Sequence, residues 1–87
     1  MYQNLIDIKT LFDIENVDTP VLNLNESEYD FYGKEIGINS PITIKSSFNS
    51  KFIFSRIVIL SSNVTISDIT LNGSIIIDSS DNITIQN

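Results

Sequence analysis

Ile57-Val58-Ile59-Leu60-Ser61-Ser62-Asn63-Val64-Thr65-Ile66 is written a second time, with one inserted residue at Asp81, as Ile75-Ile76-Ile77-Asp78-Ser79-Ser80-Asp81-Asn82-Ile83-Thr84-Ile85. A looser copy stands earlier, Ile36-Gly37-Ile38-Asn39-Ser40-Pro41-Ile42-Thr43-Ile44. The pattern therefore recurs at about 18 to 22 residues, the length of one turn of a β-solenoid. Within each copy the apolar residues alternate with period two, which sends Ile36/Ile38, Ile57/Ile59 and Ile75/Ile77 to one side of a strand and Gly37, Val58 and Ile76 to the other. After a Ser/Asn corner a second strand places Ile42/Ile44, Val64/Ile66 and Ile83/Ile85 inward and stacks Thr43, Thr65 and Thr84 outside. A third strand is expected at Phe52-Ile53-Phe54 in one turn and Ile69-Thr70-Leu71 in the next, with Asn72-Gly73 forming the corner back to Ser74. Three strands per turn make a three-sided parallel β-helix of about three coils. An antiparallel sandwich of short strands is the competing reading, but a sandwich does not require one turn to copy the next residue by residue.

Outward from the repeat, the N-terminal residues change period. Leu5, Ile8, Leu11 and Phe12 fall at helical spacing, so residues 2–15 are expected to form a short amphipathic helix lying across the open top of the first coil. Asp18-Thr19-Pro20 ends it and Val21-Leu22-Asn23-Leu24 begins the first strand. The organisation is thus a capping helix over 1–18 and coils over 19–87, a single domain overall. A terminal cap of this kind covers core that no further turn buries.

Composition narrows the chemistry. The 87-residue chain has no cysteine and no histidine, so thiolate or imidazole metal sites and histidine general bases are excluded. Its net charge of −6 is unevenly placed: residues 1–35 carry eight acidic and two basic side chains, and residues 36–87 carry three of each. No basic stripe suits nucleic acid or an anionic membrane surface. The N-terminus, broken by Asp7, Lys9 and Asp13, resembles neither a signal peptide nor a membrane span. A cytoplasmic or virion-associated location is the expectation if the chain is complete.

The short helix, then Thr19-Pro20-Val21-Leu22-Asn23-Leu24, Tyr29-Asp30-Phe31, Pro41-Ile42-Thr43-Ile44-Lys45 and Asn63-Val64-Thr65-Ile66-Ser67 together resemble the opening of the pectate-lyase-like parallel β-helix superfamily. The resemblance covers nearly the whole chain and implies a right-handed coil. It specifies function poorly, because the superfamily includes polysaccharide lyases, glycoside hydrolases, adhesins, tailspikes and viral structural proteins. Family enzymes usually have ten or so coils, whereas about three are legible here. The last residues match the middle of a turn, so the C-terminal end is expected to be an open rung of unpaired backbone over an apolar core.

Lyase chemistry needs a Lys or Arg base beside carboxylates that hold a cation against the substrate's carboxylate. The outward positions that carry such groups in the family are here Gly37, Val58 and Ile76, and none can act as acid or base. Lys45, Lys51 and Arg56 with Asp68, Asp78 and Asp81 are the remaining ionisable candidates, but the repeat scatters them over different corners. Asp78 and Asp81 flank one corner and supply too few oxygens for calcium, so a solvated corner is the plainer reading. Glu26, Glu28 and Asp30 alternate as a solvent-facing edge that discourages pairing. The Thr43/Thr65/Thr84 column invites comparison with flat hydroxyl-bearing surfaces, yet outward Thr is what any strand prefers. Sequons begin at Asn25, Asn63, Asn72 and Asn82, as Asn and Ser at corners generate them.

No catalytic, cofactor or metal residues are assigned. The outward Val58 and Ile76 with Ile53 form an apolar stripe, and with Ile83 and Ile85 of the last rung they are the candidate interface. The leading expectation is a non-catalytic assembly module, the capped start of a parallel β-helix as in a fibre, spike or adhesin. It would associate as a homo-oligomer or with the remainder of a longer β-helix. The alternatives are the N-terminal part of a polysaccharide lyase or glycoside hydrolase, and a module that binds a polysaccharide. The last has few exposed aromatic candidates, since Phe52 and Phe54 point inward and Tyr2, Tyr29 and Tyr32 are N-terminal.

Overall fold

A computed structural model describes residues 4–15, 17–78 and 80–86. The chain is a three-faced parallel β-solenoid of about three turns, hydrogen-bonded as one seven-stranded sheet. In chain order the elements are β1 (Ile6–Asp7), α1 (Ile8–Leu11), β2 (Val21–Leu24), β3 (Glu28–Asp30), β4 (Glu35–Ile38), β5 (Ile42–Ile59), β6 (Val64–Ile77) and β7 (Ile83–Gln86). Strands β2, β3 and β4 are the three sides of the first coil. In β5 and β6 the pairing resumes directly after each corner, so each of these long strands wraps three sides in succession.

Every inter-strand pairing is parallel, and most inward positions set apolar residue over apolar residue. On the first face Ile36, Ile57 and Ile75 form one inward column and Ile38, Ile59 and Ile77 another. On the second face Ile42, Val64 and Ile83 stack, as do Leu22, Ile44, Ile66 and Ile85. The third face stacks Tyr29, Phe52 and Leu71. Ile36, Ile38, Ile42, Ile44, Ile59 and Val64 are fully buried. Each such side chain contributes about 1.5–3 kcal/mol of transfer free energy, so these columns are the principal source of stability.

The third face is offset from the expected register. Phe52 lies over Leu71, while Ile69 lies beneath the buried Ser50. Two irregularities cause this. Ser46–Asn49 form a four-residue corner in one coil that the next coil closes with Asp68 alone, and Phe54-Ser55 bulge opposite the single residue Gly73. Asn72-Gly73 is where the third face passes into the first at Ser74, as expected, but β6 makes this corner without a positive φ at Gly73. Glycine is required there for space, because a Cβ would stand 2.4 Å from the Phe54 carbonyl oxygen. The wide corner is held by the buried Ser46 and Ser50 hydroxyls, 2.8 Å apart, and Ser50 Oγ also donates to the Glu26 carbonyl.

Corners reuse one device. Asn49 and Asp68 precede the third face and Asn63 and Asn82 precede the second, all four in the left-handed region at φ 57–61°. Asn and Asp tolerate that region better than other L-residues. Asn82 Nδ2 donates to Asn63 Oδ1 at 3.0 Å, tying one corner to the next. Spacing shrinks along the axis: Ile42 lies over Val64, 22 residues on, whereas Ile57 lies over Ile75, 18 on, and Val64 over Ile83, 19 on.

The N-terminal segment corrects the expected helix. Helical geometry is confined to Ile8–Leu11, with the Asp7 side chain accepting from Lys9 N as N-cap. Ile6 and Asp7 instead pair in parallel with Ile36 and Gly37, adding a partial rung above β4. Residues 2–3 of the expected helix lie outside the described residues. Asp13, at φ 51°, breaks the helical path just after Phe12. The covering role survives the change of shape: Ile8 is buried, and Leu11, Phe12 and Ile14 pack on the core. Phe12 stacks on Phe52 at 6.1 Å and meets Tyr29 and Phe31 edge-on at 5.5 and 6.0 Å.

Candidate functional site

The end opposite this cap is open. Below β6 and β7 the described residues provide no further strand, so the lower backbone edges of residues 69–77 and 83–86 face solvent. The inward columns end there uncovered. Ile75, Ile77 and Ile85 are 36, 48 and 40% exposed, against 1, 0 and 1% for Ile57, Ile59 and Ile66 in the same columns one coil above. Leu71 and Ile83 are half-buried and pack against the core from the same end. Alternation thus directs these side chains into the solenoid, and no described strand lies below them. Ile83 and Ile85 of the candidate interface belong to this surface.

Val58 does not. It is completely buried between Gly37 and Ile76 in its outward column, and Leu5 covers Gly37, its Cβ 3.3 Å from where a glycine Cβ would be. Ile76 and Ile53 are half-buried. The expected exposed stripe is therefore closed at its centre, and Leu5, next to β1, lies over the Gly37 end of the same column. Periodicity places a residue on a side of the sheet without showing what lies against that side.

Charged groups are distributed by coil. Lys45 lies on the second face between Asn23 and Ser67, Lys51 on the third between Glu28 and Thr70, and Arg56 on the first between Glu35 and Ser74. These three bases are not brought together, and each faces away from the others around the solenoid. Glu35 Oε1 accepts from Arg56 Nη2 at 3.0 Å, so the first coil presents acid to base in the second. Separations matching one coil, Glu28 to Lys51 and Glu35 to Arg56, were the signal in the sequence for these junctions. Asp68, Asp78 and Asp81 sit at corners of the last rung, and Arg56 is the final basic residue of the chain. Among the described residues no group of three carboxylates is placed to hold a metal ion.

Two depressions lie near the capped end. One, of about 420 Å³, is lined by Leu11, Phe12, Tyr29, Tyr32 and Lys34 among others. The Tyr29 hydroxyl there is engaged by Asn25 and Glu26, whose backbone N–H groups both donate to it. The other runs between Lys9, Asp18 and Pro41. The Thr43, Thr65 and Thr84 column is in register as expected, headed by Val21 rather than by a fourth threonine. No helix among the described residues is long and apolar enough to cross a membrane.

The fold defines a class, a parallel β-solenoid of about three turns. No family model, curated protein or solved structure matches the chain.

Proposed function

We propose that this protein is a non-catalytic assembly module, the capped start of a parallel β-solenoid whose open rung is completed by a further β-rung. One observation carries the reading: identical inward isoleucine columns are sealed at Ile57, Ile59 and Ile66 and bare at Ile75, Ile77 and Ile85. Repeat folds bury such positions against a neighbour, and a strand edge with apolar side chains beneath it is a template for pairing. The other end differs in that its core is covered, with Ile8 buried and Phe12 stacked on Phe52. A fibre, spike or adhesin is the setting suggested by the resemblance noted in the sequence, and that setting rests on the resemblance alone.

Sedimentation equilibrium at about 1 M salt, where exposed charges are screened to within about 3 Å, tests the open end directly. The chain is expected to associate with increasing concentration, and Ile77→Asn with Ile85→Asn is expected to abolish association while leaving the circular dichroism spectrum unchanged. A strict monomer under these conditions, with amides of β7 as well protected as those of β5, defeats the reading.

A further inference from the structure

We infer that the depression beside the turn between β3 and β4 binds a small organic cation of the alkylammonium type. The site lies at the capped end, away from the open rung, and goes beyond the assembly reading. Its starting point is Tyr32. This residue holds φ 55° and is followed by Gly33 at φ 74°, two consecutive left-handed residues. Glycine takes that region freely, whereas a bulky L-residue there is strained. The turn is fixed from both sides: Asp30 Oδ1 accepts from Tyr32 N at 2.8 Å, and Lys34 N donates to the Phe31 carbonyl at 3.1 Å. The ring it carries is 83% exposed, so packing in the core does not account for a tyrosine at this position. Strain held at an exposed aromatic points to a use for the side chain.

Tyr32 borders the depression of about 420 Å³ together with Phe12 and Tyr29, and that volume suits a small ligand. Two of these three rings are set in place by the fold. Phe12 is stacked on Phe52, and the Tyr29 hydroxyl accepts from the backbone N–H groups of Asn25 and Glu26. The charged groups on the same lining are Glu26, Asp30 and Lys34, two acids to one base. They lie in a segment, residues 1–35, that holds eight acidic against two basic side chains. Aromatic faces attract cations through their quadrupole, and nearby carboxylates add to that attraction. A metal ion is a poor match, because among the described residues no group of three carboxylates is placed to hold one and calcium takes at least about six oxygens. An anion meets the wrong sign of charge. An alkylammonium group suits rings and acids together, while the exposed Lys34 keeps its ammonium in water on a long stem.

The test titrates the full chain with choline and with its neutral isostere, which has carbon in place of the quaternary nitrogen, and follows the ring protons of Tyr32, Tyr29 and Phe12 by NMR. Choline is expected to bind with a dissociation constant of about 1 mM, roughly tenfold more tightly than the isostere. Two variants separate the parts of the site. Tyr32→Gly suits the left-handed turn, so it is expected to keep the fold, verified by circular dichroism, while weakening choline binding roughly tenfold. Glu26→Gln with Asp30→Asn retains the oxygen that accepts from Tyr32 N, and is expected to bring choline down to the affinity of the isostere. Equal binding of choline and isostere, or choline binding by E26Q/D30N as tight as by wild type, overturns the cation class. Ring protons that move with D-glucose and not with choline overturn it too, in favour of a sugar platform. Absence of choline-induced shifts up to about 50 mM, or binding indifferent to Tyr32→Gly in a folded variant, removes the site itself.

Discussion

Two of the three glycines separate two kinds of close approach. Gly73 is confined by the Phe54 carbonyl oxygen and ring, at 2.4–2.6 Å from a would-be Cβ, and backbone on a paired strand cannot retreat cheaply. Gly73→Ala is expected to cost about 2–3 kcal/mol. At Gly37 the nearest atom is Leu5 Cβ at 3.3 Å, on a short segment that can shift by a few tenths of an ångström. Gly37→Ala is accordingly expected to cost less than about 1 kcal/mol. Urea midpoints of the two variants decide the comparison, and equal losses would show that the Phe54 bulge relaxes. Sequence indicated the asparagine corners, since Asn63 and Asn82 occupy equivalent places in the repeat. It placed a corner at Asn72-Gly73 for a local reason, whereas this glycine answers to a residue 19 positions away.

At the scale of elements, the aromatic contacts make the cap and the coils interdependent. Phe12 touches Tyr29 and Phe31 of the first coil and Phe52 of the second. Phe12→Ala is expected to lower stability by about 3–4 kcal/mol, read from chemical denaturation. A loss under about 1 kcal/mol would mean that the cap is an appendage rather than part of the core. The coils were legible because parallel stacking repeats the same environment at each turn, and the isoleucine columns, β2 and the inward Phe52 and Phe54 stand where alternation puts them. The cap was legible only as an apolar face. Leu5, Ile8, Leu11 and Phe12 do approach the fold, but the open edge of β4 captures Ile6 and Asp7 as a strand, and a four-residue helix is all that remains. Helical periodicity in so short a segment yields to an available sheet edge. The burial of Val58 was not legible, because alternation carries no record of what packs on the outward side of a strand.

Across the whole molecule, stability should be graded along the axis. Strand β5 is paired on both sides, with β2, β3 and β4 above and β6 below, while β7 is paired with β6 alone. In a linear array the terminal unit opens at the expense of one junction and the central unit at the expense of two. Amide exchange followed by NMR is expected to be roughly a hundredfold faster in β7 than in the central residues of β5. Uniform protection would instead show that the coils unfold as one cooperative unit.

The contraction of the corners leaves the gauge of the cylinder unchanged. With four residues from Ser46 to Asn49 opposed by Asp68 alone, the residue count per turn falls from 22 to 18 or 19 by the last turn, yet Ile44 still lies over Ile66, Phe52 over Leu71 and Ile57 over Ile75. The surplus is carried at the corners, so the paired strands set the bore and the corners are free to vary in length.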